Sequence, residues 1–222
     1  MLEEIKGVIF DMDGTLIDSM WVWEEVDVDY VKRYQLVEPE GFYEAIEGMS
    51  FTDVAKYYKK TFPQIRDSVE QIKADWMEMG YRLYRDEVEL KSGVKEFLEE
   101  LKKCGIKIGI ATSNDRDMTE MVLEARGILQ EFDAICTSDE VKIGKPAPDV
   151  YLKAAEDLGV DPKDCLIFED VPAGLMAGKS AGMKTCAVAD KFSEDQIEKK
   201  RALADYFIQD YFEVLKGTYE QL

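Results

Sequence analysis

Histidine is absent from all 222 residues. That absence excludes Ser-His-Asp and Cys-His catalysis, His-ligated zinc and the usual histidine general base. Acid-base chemistry falls instead to carboxylates, lysine, tyrosine or cysteine. Cysteine is sparse. Cys104, Cys136, Cys165 and Cys186 form no C-x-x-C pair, and three of them sit in or beside apolar, strand-like runs. Reduced thiols packed in a core are expected, not a disulfide framework or a metal site. No apolar run approaches the length of a membrane span. The start, Met1-Leu2-Glu3-Glu4-Ile5-Lys6, has no basic region followed by a long apolar segment, so no secretion signal is expected. The expectation is a cytoplasmic protein with no membrane partner.

Positive charge is also short. Lys and Arg total 28 against 47 Asp and Glu, for a net charge of -19. A nucleic-acid partner needs a basic footprint to meet its phosphates, so none is expected. A small phosphorylated substrate remains compatible, because one metal ion and one well-placed lysine reverse the local potential. The length suits one core, or one domain carrying a smaller insert. Nothing signals an obligate assembly, and a monomer is expected.

What is present is an alternation. Gly7-Val8-Ile9-Phe10 is a short apolar run that ends abruptly in Asp11-Met12-Asp13-Gly14-Thr15, a buried strand followed by a turn. Similar runs cover 107–112, 134–137, 165–169 and 184–188, with a weaker one at 206–208. Helical patterns lie between them. Val94, Phe97, Leu98 and Leu101 share one face, with Ser92 as the expected N-cap and Gly105 as the stop. A second helix is entered at Pro148 and closed by Gly159. A third opens at Pro172, and its Gly174, Ala177, Gly178 and Ala181 form a small-residue face. Strand-helix alternation predicts an α/β fold with a doubly wound parallel sheet.

Residues 20–88 break the rhythm. Trp23, Val26, Tyr30 and Tyr34 fall at helical spacing, and further helical stretches cover 41–46, 52–61 and 68–85. The reading is an α/β core of 1–19 and 89–222, with a small helical bundle at 20–88 inserted between the first two strands.

Polar residues gather where the apolar runs end. Asp11 and Asp13 follow the first strand, and Thr112, Ser113 and Asn114 close the second. Ser138 and Asp139 follow the third, and Glu169 and Asp170 end the fourth. In a doubly wound sheet these ends lie along one edge, where ligands bind. Asp11-Met12-Asp13-Gly14-Thr15, Thr112 after an apolar strand, Lys145-Pro146 and Glu169-Asp170 resemble, in order, the four motifs of the haloacid dehalogenase superfamily. The resemblance spans nearly the whole chain. The helical insert after the first motif resembles the cap of the subgroup holding β-phosphoglucomutase, phosphoglycolate phosphatase and small sugar-phosphate phosphatases.

The resemblance implies a magnesium-dependent phosphoric monoester hydrolase working on a small phosphorylated metabolite. Asp11 would attack phosphorus and form a phospho-aspartate, splitting one hard transfer into two. Asp13 would protonate the leaving alkoxide and later deprotonate water. Mg2+ prefers oxygen ligands. Asp11, the Asp13 carbonyl and Asp170 would supply them, with Glu169 bound directly or through water. Thr112, Ser113, Asn114 and Lys145 would hold the transferring phosphoryl group, with Thr112 and Lys145 sharing in catalysis. Cap residues that would select the substrate are Trp23, Gly48, Met49 and Phe51, with Trp21, Tyr43 and Ser50 as further candidates.

Two departures separate this chain from the mutase branch. That branch carries His at the offset of Trp23 and Arg in the loop position of Phe51. Losing a phosphate-binding Arg favours hydrolysis of a monophosphate. A β-phosphoglucomutase-like transfer is the alternative, and a non-catalytic phosphate-binding module is a third reading. The complete motif set counts against that third reading.

Overall fold

The computed structural model describes residues 1–46, 49 and 51–222. The chain divides into two compact units, Met1–Met20 with Val88–Leu222, and Trp21–Glu87.

The first unit is α/β. Its strands are β1 (Gly7–Phe10), β2 (Ile17–Asp18), β3 (Glu89–Leu90), β4 (Lys107–Thr112), β5 (Ala134–Thr137), β6 (Cys165–Glu169), β7 (Lys184–Val188), β8 (Tyr206–Ile208) and β9 (Glu220–Gln221). Seven form one sheet in the order β5-β4-β1-β6-β7-β8-β9. All neighbours pair in parallel except β8 and β9. From β1 the chain winds outward through β4 and β5, then crosses to the other side through β6, β7 and β8. The reversal opens a crevice at the carboxyl end of β1, where ligands of doubly wound sheets bind.

The central strands are apolar throughout because both faces of a parallel sheet are covered. Period-two alternation sends their side chains to opposite layers. Phe10 and Phe168 stack at 5.2 Å and join Phe97 and Tyr211 on one face. These come from α5 (Val94–Lys103) and α10 (Tyr211–Lys216). Ile9 and Ile167 belong to a second core with Tyr151, Ala154 and Ala177. That layer draws on α7 (Asp149–Leu158) and α8 (Pro172–Ser180). The remaining helices of this unit are α6 (Arg116–Ala125) and α9 (Ile197–Leu203).

The start of α5 differs from expectation. Gly93, not Ser92, is the N-cap, with φ 83° and no side-chain cap bond. The Ser92 carbonyl accepts the Tyr211 amide, and a Cβ on Gly93 would lie 2.8 Å from the Phe212 nitrogen. The close approach of α10 requires glycine in this left-handed turn. Strands β2 and β3 were not expected. They pair antiparallel, Ile17 with Leu90 and Asp18 with Glu89.

The second unit is helical, with α1 (Val22–Arg33), α2 (Phe42–Ile46), α3 (Phe51–Thr61) and α4 (Val69–Asp86). Ser68 caps α4 by accepting the Gln71 amide at 3.1 Å. The core is aromatic. Tyr30, Tyr58 and Trp76 meet edge to face at 5.1–6.0 Å, a geometry worth about 0.5–1.5 kcal/mol per pair beyond area burial. Among the described residues, no helix is long and apolar enough to cross a membrane.

Candidate active site

In-register pairing builds the acidic edge. Phe10 pairs with Ile110 on β4 and with Phe168 on β6. Asp11, Ala111 and Glu169 therefore stand at one level. Asp11 donates its amide to the Phe168 carbonyl at 3.0 Å, which continues the β1–β6 ladder by one bond. Carboxylate oxygens of Asp11, Glu169 and Asp170 lie within 4.8 Å of one another, and all three residues are buried.

Lys145 enters this cluster from the loop before α7. Its Nζ donates to Asp11 Oδ1 at 2.6 Å, Glu169 Oε1 at 2.6 Å and the Ala111 carbonyl at 3.0 Å. All three donor hydrogens are thereby used. Burial opposes the ammonium, but the charges of Asp11 and Glu169 prevail and raise its pKa above the ordinary value. Tyr151 donates its hydroxyl to Glu169 Oε1 at 2.9 Å. Glu169 Oε2 accepts the amides of Asp170 and Val171 at 3.1 and 3.4 Å. Both Glu169 oxygens are thus engaged by protein donors.

Asp170 is different. Its Oδ1 accepts the Thr15 hydroxyl at 3.1 Å, but its Oδ2 is buried with no hydrogen-bond partner among the described residues. An orphaned buried carboxylate oxygen is costly. Burial, then the charges of Glu169 and Asp190, push Asp170 up to about 7. Burial likewise pushes Asp11 well above the carboxylate range, against the pull of Lys145. One ammonium does not neutralise three packed acids. A divalent cation with oxygen preference fits this donor set, supplying the missing charge and a partner for Asp170 Oδ2. Gly14 makes room here. Its φ is 70°, and a Cβ would sit 2.4 Å from Asp170 Oδ2.

Asp13 is held from two sides. Ser19 donates Oγ–H to its Oδ1 at 2.6 Å, and Asn114 donates Nδ2–H to its Oδ2 at 2.5 Å. Thr112 is buried, and its Oγ1 accepts the Asn114 amide at 3.1 Å. That amide, expected in an anion cradle, is bonded within its own loop here. Asp115 caps α6 instead, accepting the Met118 amide at 2.8 Å. Asp11, Asp13, Met20, Thr112, Ser113, Lys145, Glu169, Asp170 and Val171 line a cavity of about 170 Å³. Asp11, Asp13, Thr112, Ser113, Lys145, Glu169 and Asp170 thus meet in one pocket, while Asn114 is not in its lining. Ser138 sits apart in role, donating to the Thr112 carbonyl at 3.2 Å. Tyr151, Ser19 and Thr15 were not singled out from the sequence.

In the helical unit, Trp23 and Phe51 meet edge to face at 5.7 Å, and Phe51 meets Trp76 at 5.5 Å. The Trp23 indole reaches over Gly80, where a Cβ would stand 3.2 Å from its ring. Trp23, Val26, Asp27, Ile46, Phe51, Val54 and Trp76 line a cavity of about 200 Å³. Asp27 is the one charged residue among the described residues of that lining. Tyr43, Met49 and Phe51 are exposed. The expected substrate contacts Gly48 and Ser50 lie outside the described residues.

A doubly wound sheet carries an aspartate pair after its first strand, a buried lysine and a second acid pair at the end of β6. The family profile of haloacid dehalogenase-like hydrolases matches residues 8–188, and the chain belongs to that family. A pyrophosphatase of Bacillus velezensis is 33% identical, over 84% of this chain and 84% of its own length. A phosphorylated carbohydrates phosphatase of Thermotoga maritima is 32% identical, over 81% and 83%. Among solved structures, a Thermotoga maritima chain provisionally ascribed as a β-phosphoglucomutase is 28% identical. It superposes with a TM-score of 0.82, covering 96% of this chain and 98% of its own.

Proposed function

We propose that this protein is a divalent-metal-dependent phosphatase, with Mg2+ as its metal, that hydrolyses a small phosphorylated metabolite of sugar-like character through a phospho-aspartate on Asp11. The observation that carries the reading is the buried cluster of Asp11, Glu169 and Asp170 with Lys145 bonded to two of the three. The helical unit acts as the cap, and the protein works in the cytoplasm. The phosphatase named for phosphorylated carbohydrates supports the substrate class.

Asp11, Asp170 and the Asp13 carbonyl would hold the metal, which supplies charge neutralisation of the phosphate and of the developing transition state. Glu169, with both oxygens already bonded, would act through a metal-bound water. Asp11 would attack with the oxygen that Lys145 does not hold. Lys145 would keep Asp11 oriented and pair with a phosphoryl oxygen. Thr112 Oγ–H and the Ser113 amide would donate to the others, joined by Asn114. Asp13 would give its proton to the leaving oxygen and take one from the incoming water. Its clamp by Ser19 and Asn114 fixes both oxygens at the loop where that oxygen departs.

Hydrolysis is favoured over mutase chemistry by Trp23 and Phe51, which stand at the positions where the mutase branch carries His and Arg. The experiment is a panel of phosphorylated sugars, polyols and pyrophosphate with Mg2+, scored by kcat/KM for phosphate release. In parallel, β-glucose 1-phosphate with a trace of its 1,6-bisphosphate is followed for glucose 6-phosphate and free phosphate. Glucose 6-phosphate forming much faster than free phosphate, at a kcat/KM above about 10⁴ M⁻¹s⁻¹, would establish the mutase instead.

A further inference from the structure

A buried lysine lies behind the acidic edge, unused by the chemistry above. Lys200, on α9, is 1% exposed. Its Nζ donates to the Val188 carbonyl at 3.2 Å and to Ser193 Oγ at 3.0 Å. Ser193 is also buried, and it donates its Oγ–H to the backbone carbonyl of Asp170 at 2.9 Å. An ammonium, a hydroxyl and a carbonyl thus run in series to the residue whose Oδ2 stands orphaned.

The segment carrying Ser193 is fastened independently. Asp190 accepts the Phe192 amide at 2.9 Å and pairs with Lys91. Lys91 also donates to the Ala189 carbonyl at 3.2 Å. Ser193 therefore has little freedom to follow a moving Asp170, and it restrains that residue's backbone. Burying an ammonium is costly, and a methionine would fill a similar volume without that cost. Packing alone gives no reason for Lys200. Electrostatics does. An ammonium on Ser193 Oγ polarises the hydroxyl and strengthens its bond to the carbonyl. Burial lowers the Lys200 pKa, and the charges of Asp170 and Asp190 that it faces offset that only in part.

We propose that Lys200 and Ser193 are positioning residues for Asp170, a buried ammonium–hydroxyl relay that sets divalent-cation affinity from behind the site. The proposal rests on the metal-dependent reading above. With its carbonyl held by Ser193 and Oδ1 by Thr15, Asp170 has one oxygen left, and its direction is fixed before any cation arrives. Outer partners of this kind commonly change metal affinity by about 10–100-fold.

The test is isothermal titration calorimetry of Mg2+ into the wild type, Ser193→Ala, Ser193→Thr, Lys200→Met and the double variant Ser193→Ala/Lys200→Met. Melting temperature and steady-state kinetics at saturating Mg2+ accompany it. Ser193→Ala and Lys200→Met should each weaken Mg2+ binding about ten-fold or more, with a smaller change in kcat at saturating metal. Ser193→Thr keeps the hydroxyl and should keep the affinity. Because Lys200 acts through Ser193, the double variant should be no weaker than Ser193→Ala alone. Wild-type affinity in Ser193→Ala, even with a lower melting temperature, would overturn the proposal and leave the pair a fastener of the loop. If Lys200→Met does not fold, the two Ser193 variants decide alone. A wild type with no saturable Mg2+ binding would remove the metal reading and this proposal together, which differs from a wild type that binds while Ser193→Ala is unchanged.

Discussion

Replacing Gly174 with alanine should damage this protein, although it removes a glycine from a helix. In an unconstrained helix interior that change stabilises by about 1 kcal/mol. Gly174, however, is the third residue of α8 and lies against the Glu169 carboxylate. An alanine Cβ there would fall 1.7 Å from Oε1, 1.9 Å from Cδ and 2.6 Å from Oε2. These separations are far inside contact distance, so the carboxylate must leave. With it go the Oε1 bonds from Lys145 and Tyr151. Net hydrogen bonds to charged groups are worth about 1.5–3 kcal/mol each. Losing two costs about 3–6 kcal/mol, and the helical gain leaves a deficit of about 2–5 kcal/mol. Urea unfolding followed by circular dichroism, without added metal, measures it. Lys145 would also lose one of its two acidic anchors. Phosphate release from a small aryl phosphate should fall about a hundred-fold, equivalent to about 3 kcal/mol in the barrier. The same substitution in a Glu169→Ala background isolates the cause, since no carboxylate remains to collide with. There the cost should vanish or change sign. A Gly174→Ala protein as stable and active as the wild type, or one equally destabilised in both backgrounds, would refute the reasoning.

Asp11→Asn should keep the fold, because the residue lies in the loop beyond β1, and should lower turnover by more than about 1,000-fold, since an amide forms no acyl phosphate. Steady-state phosphate release and a melting curve check both halves, and near-normal activity would sink the nucleophile assignment. Chelation should stop turnover, Mg2+ should restore it and Ca2+ should support little, because calcium tolerates more ligands and looser geometry; full activity in excess chelator would remove the metal from the mechanism. Phe51→Arg should improve binding of sugar bisphosphates about ten-fold or more, the worth of one charged hydrogen bond, while changing kcat on a small aryl phosphate less. Inhibition constants for both ligand classes test it, and equal changes in both would count against a substrate contact at this position.

The central strands were legible because a parallel sheet covered on both faces needs unbroken apolar runs, which Val8 to Phe10 and Cys165 to Phe168 supply. The four-motif resemblance drew attention to Asp11, Asp13, Thr112, Lys145, Glu169 and Asp170 for a related reason: a polar residue straight after a buried strand has few structural excuses. Strands β2 and β3 were illegible, since two-residue strands are fixed by their partner and not by their own pattern. Tyr151 reads as one more apolar residue on the buried face of α7, and only the packing of α7 on β4, β5 and β1 brings its hydroxyl to Glu169. Lys200 lies in Glu198-Lys199-Lys200-Arg201, which reads as a solvated run, and its burial depends on where α9 docks. Gly174 read as part of a close-packing face. Gly178 fits that description, with a would-be Cβ 2.6 Å from Ile167 Cγ1, but the neighbour that matters for Gly174 is an acid.

The shared level of Asp11, Ala111 and Glu169 makes strand length a catalytic quantity. A residue gained or lost within β1 or β6 would advance one acid past its neighbour and turn the side chains after it to the opposite face of the sheet. The paired phenylalanines Phe10 and Phe168 would then no longer stack, so the core would resist the same slip that the chemistry forbids. Changes of length are tolerated where no ladder counts residues, as in the connections of the helical unit between Tyr34 and Phe42 or between Thr61 and Val69. The chain is thus divided into stretches whose length is fixed to the residue and stretches free to drift. A lineage of such enzymes could reshape its helical unit by insertion and deletion while the spacing from Gly7 to Asp11 and from Cys165 to Asp170 stayed unchanged.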